Sequence, residues 1–92
     1  MNSVEKSIEE IEKMIRALNK CADENDHIMS ELRMAYMGID SIDPKHKEQI
    51  DEICAEIGQS MTQAISTAQS ASLRLMLLKS KLEDYLSVGI SL

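Results

Sequence analysis

From Val4 to Tyr36, residues of one stripe recur at alternating intervals of four and three without a slip, and the same alternation runs from Ile50 to Tyr85. This spacing holds a stripe on one side of an α-helix; it is not the two-residue alternation of a half-buried strand. The chain is therefore expected to be all-α. The first stripe comprises Val4, Ile8, Ile11, Ile15, Leu18, Ala22, Asn25, Met29, Leu32 and Tyr36. Within it only Asn25 is strongly polar, the kind of residue that costs a seam stability and fixes its register. Met14, Cys21, Ile28 and Ala35 each precede a stripe position by one residue and widen the apolar face toward that of a three- or four-helix bundle.

The second stripe reads Ile50, Cys54, Ile57, Met61, Ala64, Ala68, Ala71, Leu75, Leu78, Leu82 and Tyr85. Between the stripes lies Gly38-Ile39-Asp40-Ser41-Ile42-Asp43-Pro44, where a glycine that tolerates positive φ ends one helix and an Asp-Pro pair caps and starts the next. The expected fold is an antiparallel two-helix hairpin, coiled-coil-like, with helices over about 3–37 and 44–87 and a turn at 38–43, forming one domain over 1–92. Pairing of two such hairpins gives a four-helix bundle. Asn2 and Glu5 fit a capping box at the start, and Ile39 and Ile42 can plug the end of the hairpin. A pivot near Asp40 or Ser41 sets Ala64, Ala68 and Ala71 opposite Ile11, Ile15 and Leu18. It also leaves Leu82, Tyr85, Leu86, Val88, Ile90 and Leu92 beyond the reach of the first helix. Gly58 weakens the second helix and calls for close packing or a bend there.

Ten Lys and Arg stand against sixteen Asp and Glu, so the chain is acidic and nucleic acid is an unexpected partner. No apolar run approaches the length of a membrane span, so membrane insertion is not expected. Nor does the N-terminus read as a cleavable signal, and the folded protein is expected in the cytoplasm, with any export using another route. Cys21 and Cys54 fall at different levels of the hairpin, which disfavours a disulfide between them. His27 and His46 match no metal spacing with the cysteines, no glycine loop cradles phosphate, and no nucleophile stands beside a base. Neither catalysis nor a cofactor is expected. With two tyrosines and no other aromatic residue, a core of this size is modest, and oligomerisation is the expected remedy.

Leu73, Met76 and Leu77 lie off the second stripe and, with Leu82, Tyr85 and Leu86, form the candidate partner-binding surface. The partner is expected to be a second copy of the chain or another helical protein. Tyr36-Met37-Gly38, an aromatic residue followed at two by glycine beside the turn, resembles the motif of the tryptophan-x-glycine hairpins of type VII secretion. Tyr36, Gly38, Asp43 and Pro44 make up the turn motif on this reading. The chain departs from the family in having tyrosine for tryptophan, an extended turn, and Gly89 where the export signature wants an acid four residues after Tyr85. The resemblance implies a dimeric four-helix bundle serving as a secreted factor or as the partner of a larger secreted toxin. An export chaperone or adaptor of the type III or flagellar kind, and a structural oligomer component, are the alternatives that the residues leave open.

Overall fold

The computed structural model describes residues 2–39 and 44–91, with side chains placed through Val88. The expected plug at Ile42 and cap at Asp43, and the apolar side chains of Ile90 and Leu92, lie outside what is described. Two helices, α1 (Ser3–Met37) and α2 (Pro44–Ser91), pack along their length as a hairpin with a long axis of 73 Å. At 1.5 Å per residue α2 alone accounts for roughly that length.

Asn2 caps α1 in an extended conformation, its side chain accepting from the Glu5 backbone N–H at 2.8 Å. The Glu5 carboxylate returns to the Asn2 side-chain amide at 3.5 Å rather than to its backbone. Gly38 ends α1 with φ −83°, in the right-handed region, so the expected positive φ is absent. Its N–H bonds the Ala35 carbonyl at 3.1 Å, closing a tightened last turn that an alanine could also make. Pro44 occupies the first position of α2, where a missing N–H costs nothing.

Three cross-helix pairs fix the register. Glu12 meets Lys79, seven residues later Asn19 meets Ser72, and ten residues further Met29 meets Thr62. Carried toward the ends, this register sets Val4 near Leu86 and the end of α1 near Cys54. Both Leu82 and Leu86 are accordingly half-buried, correcting the expectation that they outrun the first helix. Most of the surplus length of α2 lies instead at the turn end, where its first residues extend past the level of Met37. Ala68 and Ala71 come level with the helical turn around Ala22 rather than with Ile11 and Ile15, whereas Leu18, as expected, shares a groove with Ala64, Ala68 and Ala71.

The α1 stripe is the buried one: Ile11 and Ala22 are buried, and Val4, Ile8, Ile15, Leu18, Asn25, Met29 and Tyr36 are half-buried. In α2 the stripe is rotated at every second position. Gly58, Ile65, Ser72, Lys79 and Leu86 turn inward with Cys54, Met61, Ala68, Leu75 and Leu82, whereas Ile57, Ala64, Leu78 and Tyr85 stay exposed. Packing overrides hydrophobicity here because α1 supplies polar partners at the right levels. Ser72, 5% exposed, donates to Asn19 Oδ1 at 3.0 Å, and Lys79 Nζ lies 3.3 Å from Glu12. Asn25 bonds within its own helix, Nδ2 donating to the Cys21 carbonyl at 2.8 Å, so the register is held by Asn19 and Glu12 instead.

Candidate functional site

No described side chain is fully buried, although thirteen large apolar side chains are classed as exposed. A hairpin of two helices has two long sides beside its seam, and these sides differ. On one, the flank of α1 reads Glu5, Glu12, Asn19, Asp26, Arg33 and carries the pairs Glu12–Lys79 and Asn19–Ser72. Glu12 holds the Lys79 ammonium protonated above its ordinary range, with Glu83 at 3.6 Å adding to the effect. Toward the turn the same side opens into a groove of about 300 Å³ lined by Met29, Leu32, Arg33, Tyr36, Asp51 and Gly58. Here the Tyr36 hydroxyl donates to Asp51, a bond that raises the phenol above its usual value, burial and the Asp51 charge acting in the same direction. Nothing approaches the position a Gly58 side chain would take, so close packing does not account for this glycine within the hairpin.

The other side is bare. The α1 flank reads Ser7, Met14, Cys21, Ile28, Ala35, and that of α2 reads Ile57, Ala64, Ala71, Leu78, Tyr85. Met14 and Leu78 line one groove with Ile11 and Leu82, and Leu18 lines another with Ala64, Ala68 and Ala71, which places the two flanks on a common face. Met14 is 55% exposed, Leu78 46% and Tyr85 68%. Among the flank residues only Ser7, Cys21 and the Tyr85 hydroxyl carry a polar group, and the grooves are rimmed by Ser3, Lys6 and Glu10 in one and by Ser60, Gln63 and Thr67 in the other.

The residues singled out from the sequence separate in the structure. Leu82 and Leu86 belong to the seam, and Tyr85 to the bare side. Leu73, Met76 and Leu77, all exposed, follow the outer surface of α2 away from that side, with Arg74 between them and Leu78 on the helix. Tyr36 and Gly38 stand at the end of α1, Tyr36 tied to α2 through Asp51. Periodicity in one helix did not separate the bare side from the seam; the signal lay in the polar flank of α1, which supplies partners to Ser72 and Lys79.

Among the described residues no group of three or more His, Cys, Asp or Glu could hold a metal ion. His27 pairs with Glu31 at 3.0 Å, both exposed, and both cysteines are free thiols. No described helix is long and apolar enough to cross a membrane. No protein-family model, curated protein or solved structure matches the chain.

Proposed function

We propose that the protein is a non-enzymatic helical interaction module that acts by packing the bare side of its hairpin against other helices. The observation that carries this reading is the pair of apolar flanks on one face, Met14 and Ile28 on α1 with Ile57, Leu78 and Tyr85 on α2, beside a seam that buries no side chain completely. Two helices cannot enclose such a face, and a second pair can. Tyr36 and Gly38 at the end of α1 support the narrower reading as a hairpin of the type VII secretion kind, assembled in the cytoplasm and exported as a factor or as the partner of a larger toxin.

The cluster Leu73, Met76 and Leu77 supports a second reading, an export adaptor that holds an amphipathic helix of a client against the outer surface of α2. A dilution series of the purified chain, with solution mass and helix content followed together, tests the main reading. Association that protects helix content is the expected result; a monomer with full helix content and cooperative unfolding at every concentration overturns it.

A further inference from the structure

Resting on that reading, we infer that the occupant of the bare side is a second copy of this chain, related by a two-fold axis along the bundle so that α1 of each copy covers α2 of the other and both turns lie at one end. The area calls for an occupant of this size. The chain exposes 7294 Å², whereas a compact monomer of 10.3 kDa exposes roughly 5,400 Å² by mass scaling. The surplus of about 1,900 Å² is ample for the ~800 Å² per partner of a stable interface.

Charge selects the arrangement. Immediately outside the apolar flank, α1 carries Ser3, Glu10, Ala17, Glu24 and Glu31, a column without a base whose acids also meet Lys13, Lys20 and His27 of the next column on the same helix. The corresponding column of α2, Ile53, Ser60, Thr67, Arg74, Lys81 and Val88, has bases and no acid. Placing α1 over α2 of the second copy sets these columns against each other, with Glu10 level with Lys81. Turning the second hairpin end for end would bring Glu10 against Glu31 and leave Arg74 and Lys81 level with Thr67 and Ser60, an arrangement with a like-charge contact and no opposite pair.

Volume selects the same arrangement. The two-fold axis along the bundle preserves level, so the register of the hairpin carries over to the contact between copies. Ser7 then meets Tyr85, Met14 meets Leu78, Cys21 meets Ala71, Ile28 meets Ala64 and Ala35 meets Ile57. Three of these five layers pair a small side chain with a large one, as a filled interior requires. The reversed arrangement, centred near Cys21, sets Met14 on Ile28 and Tyr85 on Ile57 while leaving Ser7 against Ala35.

The test places a spin label at Met34→Cys in a chain whose native thiols are removed by Cys21→Ala and Cys54→Ala, with helix content and solution mass checked against the unsubstituted protein, whose own mass decides whether a dimer forms. Met34 is among the most exposed residues and points away from the bare side. With helices 8–10 Å apart and both turns at one end, the inter-label distance is expected below about 30 Å. A dimer with a distance of ~40 Å or more, the separation of opposite ends, overturns the arrangement. A chain that stays monomeric and loses helix content on dilution overturns the second copy as occupant while leaving the interaction reading standing. A monomer that keeps a cooperative, fully helical fold overturns both.

Discussion

The two long sides of the hairpin share a seam and have opposite chemistry. One is laced by Glu12–Lys79, Asn19–Ser72 and Tyr36–Asp51, each joining α1 to α2 of the same chain. The other presents Met14, Ile28, Ile57, Leu78 and Tyr85 with no cross-helix polar contact among them. The laced side fixes how the two helices meet, because a slip of either helix would separate the pairs. Surface left unpaired on the bare side is available to something outside the hairpin. Specificity within the chain and association beyond it are therefore assigned to different flanks of the same two helices.

The largest expected effect comes from removing what both sides depend on. Ile11→Ala deletes a buried seam side chain, and a loss of about 2–5 kcal/mol is expected in denaturant unfolding, with association and helix content falling together. Loss of association alone would show that Ile11 serves the bare side rather than the seam. A smaller effect is expected on the laced side. Ser72→Ala removes the hydroxyl that bonds Asn19, for a loss of about 1 kcal/mol measured the same way, and Asn19→Ala should add little to it in the double variant. Full additivity would mean that the pair does not act as a unit.

Gly58→Ala has the opposite sign. The added methyl meets no atom within 4 Å, so the helix-propensity gain of about 1 kcal/mol should appear undiminished as a higher midpoint. Destabilisation instead would place another chain against Gly58 and extend the association surface to the laced side.

The smallest effect is an alkaline one. Both Tyr36, through Asp51, and Lys79, through Glu12, hold their protons to higher pH in the fold than in the unfolded chain. Raised values contribute stability that is complete below the unfolded value and disappears as pH rises through the folded one, so both contributions are lost above about pH 10. An alkaline titration of Tyr36→Phe should be flatter over that window than that of the unsubstituted chain; an identical slope would remove Tyr36 from the account.

Helical class and the hairpin were legible because apolar periodicity runs unbroken through both helices and stops at Gly38. The seam of α1 was legible for the same reason, since its stripe and its burial coincide at every position but Leu32. That of α2 was not. Two interleaved sets share Cys54, Met61, Ala68, Leu75 and Leu82, and the more apolar one continues through Ile57, Leu78 and Tyr85. The set that turns inward contains Ser72 and Lys79, whose burial makes sense only with Asn19 and Glu12 on the facing helix. Periodicity along one helix carries no information about the other, so on sequence alone the apolar set reads as the seam and the partner surface falls at Leu73 and Leu77. Turn length had the same limitation: the register is set by contacts far from the turn, which moved the projecting end of α2 from its C-terminus to its start.

The central claim is that association belongs to the bare side, and two neighbouring leucines of similar exposure test it most directly. Leu78 lies on that side and Leu77 on the outer surface of α2. Sedimentation equilibrium of Leu78→Glu and Leu77→Glu, with helix content measured at the same concentrations, should show Leu78→Glu weakening self-association at least tenfold while Leu77→Glu associates like the unsubstituted chain. The reverse order, or equal losses from both, would contradict the account and move the association surface to the cluster of Leu73, Met76 and Leu77.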